Sequence, residues 1–324
     1  RGLKEPVGDP IGGWIGKDPG KDPWNRNAAF VKLARNSRSV CVDLKHKKGR
    51  EIFLELVGHA DVVIENFSAS TMSNLNLDYE TLVEANPNII YLTMPGFGKT
   101  GPYKDWVAFG PIIEPMSGLT AAMGYSLEEP RNSGVALVDP TSATSAAAAI
   151  VTAIRSRKKK VGGSTQIEMS LHEAGVSFNG PWLIDSQLGA PSPVLNNGHP
   201  NMCPHGVYPC KGEDEWLALA CEDQKDWETL AKIDHSLDPS WTIKERQECA
   251  DSINLSIAVW CETRTKESAA EELQNMGIAA GPVNTVPDMF KDPQVEERKF
   301  FVPFERAETP MPGNPIKMEG IDSS

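Results

Sequence analysis

The sequence predicts an α/β protein with an open, parallel, Rossmann-like sheet and a second, smaller α+β domain. Two observations lead to this prediction. Short, continuous apolar segments alternate with helical patterns from residue 39 to residue 94, which is typical of a parallel sheet covered by helices on both faces. The composition then changes near Pro191, and a chain of 324 residues is long enough for about two domains.

The segments of the first half follow one another as strand, helix, strand, helix and strand. The apolar segments 39–44, 61–66 and 88–94 predict three short buried strands. Between them, residues 48–60 place their apolar side chains on one side of a helix. Residues 78–87 predict a second helix, which ends before the proline that closes the segment.

In an open parallel sheet, ligands bind beyond the carboxyl ends of the strands. Four segments of the sequence occupy such positions: Asn66–Phe67, the glycine-containing turn that starts at Gly96, the residues around Asp139, and the residues after the apolar segment 165–171. We therefore expect the functional side chains of the first domain to lie in these four segments.

Composition also divides the whole chain into regions. Residues 1–190 are expected to form the large domain, and residues 191–210, rich in Pro, Gly and Asn, a linker whose part 196–206 acts as a lid. A strand-like segment and three helical patterns predict a small domain at 211–285. Residues 286–324 are loop-like and are expected to return to the large domain.

Charge and cysteine content exclude several classes of partner. The net charge of −12 argues against nucleic acid, because phosphate binding requires a positive face. No apolar segment is long enough to cross a bilayer, and no cleavable signal peptide is recognisable. The six cysteines form no CxxC pair, which indicates free thiols in a reducing compartment. We therefore expect a cytoplasmic protein, or a mitochondrial or peroxisomal one in a eukaryote, that binds neither nucleic acid nor membrane.

Two motifs suggest cofactors that the rest of the sequence does not support. The segment GFGKTG (96–101) matches the GxGxxG pattern of dinucleotide sites, but the residues after Gly101 lack the helical spacing that such a site requires. A turn in which the backbone comes close to a ligand accounts for these glycines better. Four candidate metal ligands lie within twelve residues but lack the paired spacing of zinc sites: His199, Cys203, His205 and Cys210. We predict no nicotinamide cofactor and no metal.

Asp139 stands between an apolar run and an alanine-rich helix in GVALVDPTSATSAAAAIVTAI (134–154). One interpretation is structural, because Asp is a favoured N-cap residue and Pro is favoured at the first helical position. The other interpretation is catalytic, because a carboxylate held at a helix N-terminus in the ligand crevice can act as a nucleophile. The residues alone leave both interpretations open.

Several segments, taken in order, resemble the class III CoA-transferase family (CaiB/BaiF, formyl-CoA transferase type). The strongest are VDLK (42–45), ENF (65–67), GFGKTGP (96–102) and the aspartate before a helix of small residues. The segments GHPNMCPHGVYPC (198–210) and GIAAGPVNTVPDMFKDPQV (277–295) continue the resemblance, so it extends over nearly the whole chain.

The resemblance implies that Asp139 is the nucleophile of a CoA-transferase. Its carboxylate would attack an acyl-CoA thioester to give an aspartyl-acyl anhydride, and the released CoA would then form an aspartyl-CoA thioester before passing to a free carboxylic acid. Coenzyme A and acyl-CoA are then substrates, and no metal is required. The resemblance also implies which residues bind CoA: Val42 and Lys45 near the adenine and ribose phosphate, Asn66 and Phe67 in contact with CoA, and Gly96, Phe97 and Gly98 near the thioester.

The resemblance also implies a quaternary structure and an unusual start of the chain. Members of the family form homodimers of two interlocked rings, each with a large and a small domain, and we expect the same here. The family usually begins with a βα unit that is not recognisable in this sequence, so that unit is expected to be missing from the large domain.

Two alternatives remain on the same fold. A 2-methylacyl-CoA racemase would pair the aspartate with a histidine about thirty residues upstream as the second base. This chain has Phe109 and Gly110 there, so racemisation is disfavoured, and a CoA-dependent lyase is the related alternative. The other alternative is a catalytically inactive fragment that binds CoA esters and uses Asp139 only as a cap.

Overall fold

The structure is a computed structural model that describes residues 20–21, 27–126, 128–159, 163–189, 196–303 and 310–320. Its helices are, in chain order, α1 (Ala28–Leu33), α2 (Lys47–Gly58), α3 (Thr71–Asn74), α4 (Tyr79–Ala85), α5 (Gly110–Met116), α6 (Leu119–Ala122), α7 (Val138–Lys158), α8 (Leu171–Phe178), α9 (Gly180–Gln187), α10 (Gln224–Leu230), α11 (Ile243–Glu248), α12 (Ala250–Glu262), α13 (Lys266–Asn275) and α14 (Pro293–Glu297). Its strands are β1 (Val62–Glu65), β2 (Ile90–Thr93), β3 (Thr165–Glu168), β4 (His205–Pro209), β5 (Trp216–Ala220), β6 (Ala279–Pro282), β7 (Phe301–Val302) and β8 (Met311–Pro312). Residues 1–19 and 190 of the predicted large domain and residues 191–195 of the predicted linker lie outside the described residues.

The chain divides into two compact units. One comprises residues 42–282, and the other comprises residues 1–41 together with 283–324. In the second unit, β7 and β8 form a short antiparallel pair, so a region predicted to be loop-like contains some regular structure. The domain boundaries expected from composition, at residues 190, 210 and 285, stay a prediction.

A parallel sheet of three strands organises the first part of the larger unit. Its order is β1-β2-β3, and both pairs of neighbours are parallel. All four residues of the central strand β2 are buried, which is the expected state of a strand covered on both faces. The prediction of a mixed α/β fold with a parallel sheet is confirmed.

The strand predicted at 39–44 is wrong. Residues 37–43 have no regular secondary structure, and the chain turns at Leu44 and Lys45. Asp43 explains this, because its carboxylate accepts a hydrogen bond from the Lys45 amide (3.0 Å) and its carbonyl accepts one from His46 (3.1 Å). These bonds fold the end of the segment into the turn that precedes α2. An apolar pattern also does not ensure that a segment finds a neighbouring strand with which to pair.

An antiparallel sheet organises the later part of the same unit. Strands β4 and β6 flank β5, and helices α10 to α13 pack their apolar side chains against this sheet. Trp227, Ile253 and Leu273 are fully buried in the resulting core. This arrangement is an α+β fold of the kind expected for the second half.

Helix α7 positions the residue of greatest interest. With 21 residues it is about 30 Å long, whereas a four-residue strand is about 13 Å long. Near its C-terminus, Arg157 donates to the carbonyl of Asn88 (2.8 Å), just before β2 begins. That end of α7 therefore lies at the amino edge of the sheet, and its N-terminus extends beyond the carboxyl edge. No helix in the described part of the chain is both long and apolar enough to cross a membrane.

Candidate active site

Asp139 lies in the first turn of α7 but is not its N-cap. The helix begins at Val138, and its N-cap is Leu137, whose side chain makes no capping bond. The Asp139 amide donates to the carbonyl of Ala136 (2.9 Å), which closes the turn before the helix. The interpretation of Asp139 as the N-cap therefore does not match its position, since Leu137 is the N-cap and its amide is bound from another helix.

That other helix is α5, and the group that binds the Leu137 amide is the carboxylate of Glu114. Glu114 is only 1% exposed. Its Oε1 accepts from the Ser133 amide (2.6 Å), and its Oε2 accepts from the Ser133 hydroxyl (2.8 Å) and the Leu137 amide (3.2 Å). Glu114 is absent from the residues predicted to be functional, although a single carboxylate inside GPIIEPM is a signal for such a role.

The carboxylate of Asp139 packs against the first residue of α5, Gly110. A Cβ at Gly110 would lie 2.7 Å from Oδ1 and 2.9 Å from Cγ of Asp139, and 2.8 Å from the Cβ of Ala136. These distances are too short for any side chain, so only glycine permits the contact. Phe109, the N-cap of α5, is exposed beside it.

The turn at Gly96 packs against the same helix. A Cβ at Gly96 would lie 2.3 Å from the Cβ of Ala108 and 3.2 Å from Cδ1 of Ile113. Gly98 has φ 83°, a conformation that glycine adopts readily. The structure thus brings the Gly96–Gly98 turn and Asp139 to one helix, α5. The backbone of this turn lies close to Ala108 and Ile113 of the protein itself. The expected approach of the turn to a thioester stays a prediction.

Phe97 anchors an aromatic group next to this turn. Its ring lies 5.9 Å from Tyr103, 6.1 Å from Trp106 and 5.7 Å from His172, measured between centroids. His172 Nε2 lies 3.1 Å from the Met116 carbonyl, and the His172 amide donates to Gly96. His172 therefore ties the turn to α5. Tyr103 and Trp106 are exposed and give the site an aromatic rim.

The Asn66–Phe67 segment is fixed by the residue before it, Glu65. One oxygen of the Glu65 carboxylate accepts from the Phe67 amide (2.7 Å), and the other accepts from the Tyr91 hydroxyl (2.8 Å). Burial and the neighbouring Glu65 raise the pKa of Tyr91, so its hydroxyl stays protonated and can donate. Asn66 and Phe67 are both exposed, so their side chains are accessible to a ligand.

Three of the segments expected to hold functional residues meet at the carboxyl edge of the sheet. Glu65, Thr93 and Glu168 lie side by side at the ends of β1, β2 and β3. The Glu168 carboxylate accepts from the Lys99 amide (2.8 Å), and the Ser170 hydroxyl donates to the Gly96 carbonyl (3.2 Å). The segment after β3 and the glycine turn are therefore bonded together at this edge.

Val42 and Lys45 lie in the segment that turns into α2. Val42 is partly buried, and its Cγ1 would be 3.2 Å from a Cβ at Gly49. Lys45 is exposed. The contacts of Val42 with Gly49 and of Lys45 with Asp43 carry no information about CoA, so the proposed role of both residues near the adenine and ribose phosphate stays a prediction.

The segment 196–206, expected to act as a lid, is anchored to α11. The buried guanidinium of Arg246 donates to the Cys203 carbonyl (2.7 Å), and Gln247 donates to the Pro200 carbonyl (2.8 Å). The rings of His199 and His205 lie 5.4 Å apart. Across the described residues, no group of three or more His, Cys, Asp or Glu side chains is placed to hold a metal ion.

The chain resembles known proteins in sequence. The family model described as CoA-transferase family III matches residues 4–323. The chain is 32% identical over 304 residues to the succinate–glutarate CoA-transferase of Agrobacterium fabrum, which covers 89% of this chain and 74% of that protein. It is 29% identical over 276 residues to a succinyl-CoA–D-citramalate CoA-transferase of Chloroflexus aurantiacus, with 83% and 68% covered. It is 28% identical over 284 residues to a probable CoA-transferase of Mycobacterium tuberculosis, which covers 84% of this chain but 36% of that longer protein.

The chain also resembles a solved structure. A crystal structure of a CaiB/BaiF family protein from Brucella suis superposes with a TM-score of 0.84 and 26% sequence identity, covering 98% of this chain and 83% of that one. The family match over almost the full length and the shared fold agree with the resemblance read from the sequence motifs. The chain therefore belongs to CoA-transferase family III.

Proposed function

We propose that this chain is a CoA-transferase that moves CoA from an acyl-CoA thioester to a free carboxylic acid, with Asp139 as its nucleophile. The observation that carries the proposal is the position of Asp139. The residue is exposed beyond the carboxyl edge of the sheet, where ligands bind in open α/β folds, and Glu114 rather than Asp139 binds the orphan amide of α7. The Leu137 amide therefore does not require this carboxylate as its partner.

The reaction consists of four acyl transfers. First, an oxygen of the Asp139 carboxylate attacks the thioester carbonyl of the donor, the C–S bond breaks, and CoA leaves as a thiolate from an aspartyl-acyl anhydride. Second, the thiolate attacks the aspartyl carbonyl, which releases the donor acid as its carboxylate and leaves an aspartyl-CoA thioester. Third, the acceptor carboxylate attacks that thioester and releases the thiolate again. Fourth, the thiolate attacks the acceptor carbonyl, which yields the new acyl-CoA and restores the Asp139 carboxylate.

The protein supplies binding and position for these steps. Asn66 and Phe67, Gly96 to Gly98, and Val42 with Lys45 are proposed to bind CoA. The backbone amides of the partly buried Gly96 and Phe97 would be hydrogen-bond donors for a thioester oxygen, and Tyr103 and Trp106 would cover the pantetheine arm. No ATP is needed, because thioester and anhydride are both activated acyl groups.

Small carboxylic acids are the proposed donor and acceptor class. The names of two relatives support this class, since they specify succinate with glutarate and succinyl-CoA with citramalate. We also propose a homodimer, as implied by the family. Light scattering coupled to gel filtration tests it, and a monomeric mass over a range of micromolar concentrations would contradict it.

Racemase or lyase chemistry has less support. The position of a second base is occupied by Phe109, whose side chain cannot accept a proton, and by Gly110, which has no side chain. Transfer of CoA to an isotopically labelled free acid distinguishes the reactions, because only a transferase moves label into the acyl-CoA pool.

The test of the nucleophile uses intact-protein mass spectrometry after incubation with acyl-CoAs. Wild-type protein is expected to gain the mass of an acyl group or of CoA, and hydroxylamine is expected to convert Asp139 to a hydroxamate. Asp139→Asn is expected to remove the adduct and lower CoA transfer at least about 10³-fold, while folding is retained. The control is Asp185→Asn, at an exposed position on α9. CoA transfer by Asp139→Asn at the rate of the control would refute the proposal.

A further inference from the structure

We propose that Glu114 is a positioning residue that holds the loop 133–137, and through it Asp139, in the geometry required for attack. The inference rests on the proposed role of Asp139 as nucleophile. Glu114 does not reach the expected reaction centre itself, because its carboxylate is buried and accepts hydrogen bonds from the loop.

The hydrogen bonds of the Glu114 carboxylate are directed at this loop. Its two oxygens accept from the amide and hydroxyl of Ser133 and from the amide of Leu137. A carboxylate is an acceptor only, so it is matched to a set of donors in a way that no neutral side chain is. Two of the three donors are backbone amides, which cannot rotate to suit a different partner.

Helix α5 holds the segment at a second point. Gly110 contacts Asp139 and Ala136, and Glu114 binds Ser133 and Leu137. Positions four residues apart lie on the same face of a helix, one turn from each other. The two contacts thus fix both the loop and the first turn of α7 relative to α5.

The loop needs such restraint because its backbone is strained. Gly134 has φ 75° and Ala136 has φ 49°, both in the left-handed region. For alanine this region is sparsely populated, and a residue stays there only when its surroundings determine its conformation. Without the Glu114 bonds, we expect Ala136 to relax and the direction of the Asp139 side chain to change with it.

The proposal predicts a specific effect on catalysis. Glu114→Gln keeps the shape of the side chain but turns an NH₂ donor toward backbone amides that are also donors. A displacement of about 1 Å in a reacting group costs up to about 100-fold in rate. We therefore expect acylation of Asp139 and kcat to fall about 10- to 100-fold, whereas KM for acyl-CoA changes little, because the proposed CoA contacts lie on other segments.

The experiment combines three measurements on the full chain. Single-turnover acylation is followed by intact mass, steady-state kinetics separate kcat from KM, and hydrogen exchange measures the protection of peptides that cover 133–141. The matched control is Glu84→Gln on α4, at an exposed carboxylate. Glu114→Gln is expected to lose protection in 133–141 and to acylate slowly, and the control is expected to match wild type.

A second variant keeps the proposal testable if Glu114→Gln does not fold. Ser133→Ala removes the hydroxyl that donates to Glu114 and that also accepts from the Val135 and Leu137 amides, while it leaves the carboxylate in place. It is therefore expected to slow acylation several-fold in the same direction. Wild-type acylation rates in a folded Glu114→Gln, or in Ser133→Ala where the first variant fails to fold, overturn the inference alone. Absence of any adduct in wild type and control overturns the proposed function and this inference with it.

Discussion

The two sheets of residues 42–282 bury different kinds of side chain. Around the parallel sheet, the apolar clusters are small, and buried polar residues lie among them, including Glu65, Thr93 and Glu114. Around the antiparallel sheet, one continuous cluster runs from Tyr208 to Ile278. In the parallel-sheet region, buried polar side chains position turns and loops. In the antiparallel-sheet region, buried apolar side chains mainly stabilise the fold. A substitution in the first should affect activity more than stability, and a substitution in the second should do the reverse.

The largest expected effect on stability lies in the antiparallel-sheet region. Ile253 is fully buried on α12, so Ile253→Ala is expected to lower the free energy of unfolding by about 2–5 kcal/mol. Leu255 lies two residues further along the same helix and is 66% exposed, so Leu255→Ala should change it by less than about 0.5 kcal/mol. Denaturant titration measures both. Equal losses for the two variants would contradict the comparison.

Gly110→Ala tests the parallel-sheet region. The added Cβ meets the end of the Asp139 side chain, which can rotate away, as well as the Cβ of Ala136. We expect a loss of stability of about 1–3 kcal/mol from overpacking. The rate of CoA transfer should also fall, by up to about 100-fold, because the carboxylate of the proposed nucleophile is itself displaced. Kinetics and thermal unfolding of the same sample check the two effects, and an active but unstable variant would reverse the expected order.

Tyr91→Phe should have a smaller effect at the end of β1. It leaves one oxygen of the buried Glu65 without its donor, which costs about 1–3 kcal/mol in unfolding free energy. The Asn66–Phe67 turn should also loosen, and binding of CoA, measured by calorimetry, should weaken several-fold. Unchanged CoA affinity in a folded variant would mean that this turn does not bind CoA. Because the pKa of Tyr91 is raised, its contribution to stability is present below about pH 10 and is lost as pH rises further.

The smallest effect concerns the cysteines of the antiparallel-sheet core. Burial raises the pKa of Cys221 and of Cys261 to about 12. A raised thiol pKa stabilises the fold below the ordinary value of about 9, and this contribution is lost as pH rises from about 9 to 12. At pH 8, we expect iodoacetamide to label the exposed Cys41 and to spare Cys221 and Cys261 until the protein unfolds. Peptide mass spectrometry gives the result, and rapid native labelling of Cys221 would contradict the packing described.

The pattern of apolar residues in the sequence predicted the strands correctly where their formation depends on neighbouring residues in the chain. The apolar runs before Asn66 and before Gly96 became β1 and β2, because a short apolar strand flanked by helices has few alternatives. The run at 39–44 has the same composition, but Asp43 bonds the chain into a turn. Composition cannot reveal which of two similar segments finds a neighbouring strand.

The candidate site was predictable only in part for a similar reason. Resemblance to a family singled out Asp139 and the glycine turn, but it assigned no role to Glu65, although this residue lies in the ENF segment, or to Glu114. The roles of both acids depend on bonds to residues 2 to 26 positions away along the chain. The structural interpretation of Asp139 could not be decided from the sequence, because the amide of the N-cap Leu137 is bound by Glu114 from another helix. An acidic residue inside an apolar helix indicates that hydrogen-bond donors from elsewhere in the chain bind it. The sequence does not indicate which residues these donors are.

The left-handed alanine at position 136 has a practical consequence for protein engineering. Glycine there would relieve strain on the order of 1 kcal/mol, and a stabilisation campaign would favour the exchange. Glycine also gives the denatured chain more freedom, by a similar amount, so thermal robustness would hardly improve. At the same time, the loop that positions the proposed nucleophile would become more flexible, and the turnover rate would fall without a gain in stability. This alanine is a position that stability optimisation should leave unchanged.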